Sequence, residues 1–215
     1  MKTIVIKNNY GKGNSSKRLL IKENNVKYLI KITDIEEITT LHKYVPKLFS
    51  INQPKYQKFN YDNCNYIYKY QFIKGKHIDE IIIGDTIFKN LIKMFKYFIA
   101  KGYLVWDCHP GNIIVDRNKN VFFVDMGGLK LLADQSLYYP IIFKPGIEPD
   151  EWKSETYPLS LNTEQFSIYY LSNRIVECCK IKLSNKCIRI LNKMNEPNTA
   201  SRFKSFKQIA KCLKA

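Results

Sequence analysis

Three side chains stand out by type and spacing: Asp107, Asn112 and Asp125. The first two lie in Trp106-Asp107-Cys108-His109-Pro110-Gly111-Asn112, five positions apart. The third lies in Phe122-Phe123-Val124-Asp125-Met126-Gly127, thirteen positions beyond Asn112. Phosphoryl transfer asks little covalent chemistry of a protein; it needs charge neutralised and a nucleophile aligned. One carboxylate that accepts or orients a hydroxyl proton, with a second carboxylate and an amide oxygen as hard ligands for Mg²⁺, meets that need. Asp107 suits the first role, and Asn112 and Asp125 suit the second.

For such residues to act together, the chain must fold them to one point. Between Asn112 and Asp125, residues 112–115 and 121–124 read as two short strands around the turn Asp116-Arg117-Asn118-Lys119. Upstream, Thr86 to Gly102 has helical period, with Ile87, Leu91, Met94, Phe95 and Phe98 in one stripe and Gly102 placed as a C-terminal cap. The first third of the chain reads as strand: residues 2–7, 19–21, 28–32, 56–60 and 65–72, with Glu23-Asn24-Asn25 turning one hairpin. Between them, Asp34 is placed as a helix N-cap, and Ile38, Leu41, His42 and Val45 form one face that ends at Pro46. From about Asn162 onward the pattern is helices separated by polar loops. The expected class is α+β.

The Asp107–Asn112 and Asp125–Gly127 stretches resemble the catalytic loop and metal loop of the protein-kinase-like superfamily, with Met126 in place of the usual Phe. The resemblance spans nearly the whole chain, from Gly11 to Arg202. It implies a bilobal fold within one domain: a small five-stranded antiparallel N-lobe with one helix over residues 1–73, and a larger, mainly helical C-lobe over 74–215. It further implies ATP and Mg²⁺ as cofactors, Asp107 as catalytic base, and Asn112 and Asp125 as metal ligands. Lys31, in the apolar strand Tyr28-Leu29-Ile30-Lys31, is assigned to the α- and β-phosphates. Tyr10-Gly11-Lys12-Gly13-Asn14-Ser15-Ser16 is similar to the glycine-rich loop, so Gly11, Gly13 and Ser16 are nucleotide-binding candidates. Glu37, or Glu36 beside it, is the partner expected for Lys31. Backbone groups of Gln71 and Ile73 are expected at the adenine edge, with Tyr70 as gatekeeper. Residues 146–152 resemble the end of an activation segment. There Glu151 would pair with Arg202 of the Pro197-x-x-x-x-Arg202 element, and Glu164 would open the central C-lobe helix.

Two departures bear on substrate. Val105-Trp106-Asp107 lacks the usual Arg before the catalytic Asp, so activity is not expected to need activation-loop phosphorylation. His109 stands where protein kinases place Lys. The string Asp-x-His-x-Gly-Asn is similar to aminoglycoside, choline and lipopolysaccharide-core kinases. His109 is therefore a candidate for γ-phosphate contact, with a loop-structuring role as the alternative. The foremost expectation is a compact Ser/Thr protein kinase. Beside it stand a small-molecule, sugar or lipid kinase, and a pseudokinase.

Composition bounds the partners. Thirty-five basic residues against nineteen acidic give a formal +16 in 215 residues, which attracts phosphate-rich or acidic partners and suits an acidic protein substrate. No nucleic-acid-binding motif appears, so nucleic acid is not expected. No apolar run is long enough to span a bilayer. The expected location is the cytosol, or a host cytosol for a delivered effector. The six cysteines show no C-x-x-C pair and are expected to be reduced and mostly buried.

Overall fold

A computed structural model describes residues 3–8, 16–33, 41, 43–49, 66–105, 107–132, 150 and 163–214. The chain divides into two compact units, Met1–Lys74 and Gly75–Ala215. The described residues are a mixture of antiparallel sheet and four α-helices.

The first unit is built on an antiparallel sheet of β1 (Thr3–Asn8), β2 (Ser16–Glu23), β3 (Val26–Thr33), β4 (Leu48–Phe49) and β5 (Tyr66–Gln71), in the order β1-β2-β3-β5-β4. Four of these strands are six to eight residues long and β4 is only two. The β2–β3 hairpin turns at Asn24 and Asn25, whose φ angles of 47° and 66° are the left-handed pair that a two-residue hairpin turn requires. The short Asn side chains tolerate that conformation better than other non-glycine residues do. Leu20, Ile21, Leu41, Val45, Tyr68 and Tyr70 are the buried apolar side chains described in this unit. The expected strand at 56–60 lies outside the described residues, as does most of the expected helix after Asp34; at its end, Leu41 and residues 43–45 are described and are not helical.

The second unit begins with β6 (Gly75–His77), β7 (Ile82–Ile83) and α1 (Asp85–Ala100). The helical stripe read from sequence is the buried one: Ile87, Leu91, Met94, Phe95 and Phe98 are all inside. Gly102, at φ 81°, terminates the helix as a left-handed cap. Next come β8 (Tyr103–Val105), β9 (Ile113–Asp116), β10 (Val121–Phe123) and β11 (Leu129–Leu131). The unit closes with α2 (Glu164–Cys178), β12 (Lys180–Ile181), α3 (Asn185–Met194) and α4 (Phe206–Lys214). Strands β10, β9 and β6 form one antiparallel sheet, and β11 pairs antiparallel with β8. The two-residue β7 and β12 run parallel. The core is α1 and α2 with Phe88, Phe95, Phe98, Phe123, Phe166, Tyr169 and Phe206 fully buried.

Gly75 opens this unit at a crowded point. A Cβ there would run into the Val115 carbonyl and stand 2.6 Å from Ile114 Cγ2. Only the missing side chain lets β6 lie on β9. Gly75→Ala is expected to cost about 1–3 kcal/mol by overpacking, read as a lowered denaturant midpoint with an unchanged m-value.

Of the five described cysteines, all are free thiols, but only Cys108 and Cys187 are buried. Cys178 and Cys212 are exposed and Cys179 is half-buried. The expectation of mostly buried cysteines fails because Cys178, at the end of α2, and Cys212, in α4, are both exposed. No helix among the described residues is long and apolar enough to cross a membrane.

Candidate functional site

Short strands carry the three oxygen-bearing residues of the second unit. Asp107 follows β8, Asn112 precedes β9, and Asp125 lies between β10 and β11. The pairing of β8 with β11 sets Leu129 opposite Val105. One bond further on, the Asp107 N–H donates to the Gly128 carbonyl at 3.1 Å. The pairing of β9 with β10 sets Phe123 opposite Ile113, and the Val124 N–H then donates to the Asn112 carbonyl at 2.9 Å. Two ladders thus bring three loop ends together.

Direct contacts complete the arrangement. The Asn112 amide nitrogen donates to Asp107 twice, at 3.2 Å to the backbone carbonyl and 3.0 Å to Oδ2. With its NH₂ spent on Asp107, the Asn112 carbonyl oxygen faces the other way. Asp125 Oδ1 accepts from the Gly127 N–H at 3.2 Å, capping the turn Met126–Gly128. All three side chains are half-buried. Met126 is buried in the core.

The electrostatics agree with this proximity. Burial pushes the Asp107 carboxyl above the ordinary carboxylate range, and the negative charge of Asp125 pushes it further. The hydrogen bond from Asn112 and the charge of His109 pull in the opposite direction without cancelling the effect. Two carboxylates that feel each other in a partly desolvated place are a natural seat for a cation. The donors are hard oxygens, a carboxylate at Asp125 and an amide carbonyl at Asn112, and these fit Mg²⁺ rather than a soft metal. Among the described residues no group of three or more His, Cys, Asp or Glu side chains is placed to hold a metal ion.

His109 caps the turn Pro110–Asn112. Its Nδ1 accepts from the Gly111 N–H at 3.0 Å, and its ring is exposed. One nitrogen of the ring is therefore committed to the loop that presents Asn112. Asn or Asp can make the same cap, whereas Ala cannot. His109→Asn is expected to keep the loop and its stability. His109→Ala is expected to lose about 1 kcal/mol, read as a lowered denaturant midpoint. A histidine that did not hold the loop would instead leave both variants equally stable.

In the first unit, Lys31 lies in β3 opposite Arg18 and Tyr68, and it is 5% exposed. It shares the inward face with Thr33, which is wholly buried. A lysine held in a strand interior is costly unless its ammonium is engaged. Tyr70 is buried at the end of β5. The Gln71 N–H donates to the Lys47 carbonyl at 2.9 Å, and Ile73 lies just beyond the strand. Ser16, expected in a phosphate loop, is the first residue of β2 and pairs with Thr33. Gly11, Gly13, Glu36, Glu37 and Glu151 lie outside the described residues.

Arg202 is 2% exposed and donates to three carbonyls: Glu196 at 2.7 Å, Gln165 at 3.0 Å and Pro197 at 2.6 Å. Its guanidinium also lies over the Tyr169 ring at 4.8 Å. The Asp150 N–H donates to the same Pro197 carbonyl at 3.2 Å. Glu164 begins α2, and its Oε1 accepts from the Phe206 N–H at 2.6 Å, tying α4 to α2.

Sequence reading passed over Gly128. A Cβ there would stand 2.9 Å from Asp107 Cβ, so this glycine lets the two loops touch. The Gly127-Gly128 doublet was its visible trace. No protein-family model matches the chain, and no curated protein matches it.

Proposed function

We propose that this chain is an ATP- and Mg²⁺-dependent phosphotransferase acting on Ser and Thr hydroxyls of protein. The observation that carries this reading is the meeting of Asp107, Asn112 and Asp125, with the Asn112 amide donating to Asp107 and the Asp125 charge felt at Asp107. Asn112 and Asp125 would hold Mg²⁺ through their oxygens. Bound Mg²⁺ supplies neutralisation of the charge spread over the phosphates. Asp107 accepts or orients the proton of the attacking hydroxyl, and its raised affinity for a proton makes it a better base than an exposed Asp. Lys31, buried in β3, is assigned to the α- and β-phosphates.

The alternative substrate class, a small alcohol, sugar or lipid headgroup, is favoured by one feature. The His109-Pro110-Gly111 turn with its histidine cap replaces the lysine that protein kinases carry there.

The discriminating experiment supplies γ-labelled ATP and Mg²⁺ with a dephosphorylated protein extract, and in parallel with a sugar and lipid fraction. Label in protein that survives in wild type and vanishes without Mg²⁺ supports the proposal. Label only in the small-molecule fraction moves the reading to the alternative. ATP binding without transfer to either would reduce the chain to a pseudokinase. Lys31→Ala is expected to weaken ATP binding by at least about tenfold, the scale of one lost charge-assisted contact, as measured by titration calorimetry.

A further inference from the structure

Three cations stand side by side on the face of the first unit's sheet that carries Lys31. In an antiparallel pair, residues directly opposite each other share a face. Arg18 of β2 is directly opposite Lys31 of β3. Lys7 reaches the same face through an irregularity in β1. Val5 is opposite Ile21 but Lys7 is opposite Leu20, so Ile6 is an extra residue. The bulge turns Lys7 to the side that Leu20 and Arg18 occupy. Lys7 is then a diagonal neighbour of Arg18. Adjacent strands lie about 4.8 Å apart, so Lys7, Arg18 and Lys31 form a short cationic row across three strands.

The row has a depth and an end. Lys7 is exposed, Arg18 is half-buried and Lys31 is 5% exposed. Beyond Lys31 the next strand sets Tyr68 opposite it. Tyr66 stacks on Tyr68 at 6.2 Å and Tyr70 is tilted against it at 6.1 Å, so the charges stop there. Glu23, the one carboxylate among this unit's described residues, lies on the other face, ion-paired with Lys69. Like charges directly opposite on neighbouring strands repel. A ligand that carries several linked negative charges would relieve that repulsion.

We infer, on the footing that Lys31 holds nucleotide phosphates, that Arg18 is a second phosphate-binding cation of that site and Lys7 a third at its outer end. The ligand is then gripped along its polyphosphate chain. Depth selects this occupant. A membrane surface or a nucleic-acid duplex is too broad to reach a side chain as buried as Lys31, whereas a thin phosphate chain enters end-on. Carboxylates on one side of an extended peptide recur about every 6.7 Å, wider than the step between strands, and a lone carboxylate would neutralise only one of the three cations. The guanidinium fork of Arg18 suits phosphate oxygens, which it can bind two at a time.

The test is titration calorimetry on the full chain with ATP and with AMP, each in the presence of Mg²⁺. Arg18→Gln is expected to weaken ATP binding by about tenfold and AMP binding by less than about twofold, because AMP lacks the outer part of the chain that Arg18 would hold. Lys27→Gln removes an exposed charge about 13 Å back along β3 and is expected to leave both affinities within about twofold. Arg18→Lys serves if Arg18→Gln does not fold. It keeps the charge but not the fork, and is expected to weaken ATP binding by a smaller factor with AMP binding unchanged. Unchanged ATP affinity in the Arg18 variants, where Lys31→Ala does weaken it, would overturn the inference and leave the phosphotransferase proposal standing. Equal losses for ATP and AMP would also overturn it. A selective loss of ATP affinity in a chain that transfers label to no acceptor would keep Arg18 in its role and remove the enzyme reading. No ATP binding by the wild type would overturn both.

Discussion

Asp107→Asn is expected to lose phosphoryl transfer by about 10²–10⁴-fold and yet to unfold at a higher temperature than the wild type. The first half follows from the proposed role, since an amide cannot take a proton from the attacking hydroxyl. The second half follows from the surroundings. Burial and the Asp125 charge hold the Asp107 carboxyl above its ordinary range in the folded protein, whereas in the unfolded chain it returns to about 3.9. A group with a raised folded pKa contributes its stability below the unfolded value and loses it as pH rises through the folded value. At neutral pH the ionised Asp107 therefore weighs against the fold. Asn keeps the shape and an acceptor oxygen for the Asn112 amide, but carries no charge. The stability gain should be present at neutral pH and fade as pH falls below the unfolded value. Melting curves across that range in chelator-containing buffer, paired with label-transfer assays, check both halves. A variant that loses transfer and is also less stable at neutral pH would show that Asp107 is chiefly a structural residue.

Such opposition between stability and activity is usual where charge is gathered for chemistry, and it clarifies what the sequence could reveal. Side-chain type and interval were sufficient to expect the loop ends of Asp107, Asn112 and Asp125 near one another, because the strands between Asn112 and Asp125 are short and alternate visibly around an Asp-Arg-Asn-Lys turn. Asp116 at that turn accepts from the Asn118 and Asn120 N–H groups, each at 2.8 Å, which is the local chemistry such a string encodes. The α1 stripe was legible for the same reason: its period is local and its cap is a glycine. What the sequence hid depends on distant partners. Nothing near β11 says that it will pair with β8, so the contact of Gly128 with Asp107 had no local trace beyond a glycine doublet. The capping role of His109 was one of two open options, because hydrogen bonding within a three-residue turn depends on a rotamer and not on spacing. The basic excess was visible as a total; only helical phase puts Arg189 and Lys193 on one exposed face of α3.

Gly128→Ala is the substitution expected to damage transfer most without touching any oxygen ligand. The new Cβ would stand 2.9 Å from Asp107 Cβ, 3.4 Å from Phe123 Cζ and 3.6 Å from Asp107 Cα. None of these neighbours can yield cheaply. Asp107 Cβ and Cα belong to the root of the side chain and the backbone. Phe123 is wholly buried and meets Phe98 edge-on with ring centroids 5.9 Å apart. The backbone carrying Asp107 must therefore move, and its N–H bond to the Gly128 carbonyl must stretch or tilt. A displacement of the order of 1 Å in a reacting group costs about 10²-fold in rate, and overpacking costs about 1–3 kcal/mol in stability. Asp125 caps the same turn, and its carbonyl accepts from the Gly128 N–H at 3.1 Å, so ATP affinity is expected to fall together with kcat. Gly84→Ala is the control: its Cβ would meet nothing nearer than the Lys182 carbonyl at 3.9 Å, and it should leave both kcat and KM close to wild type. If Gly128→Ala were to retain full kcat, the position of the Asp107 carboxylate would not limit the reaction, and its role as base would have to be given up.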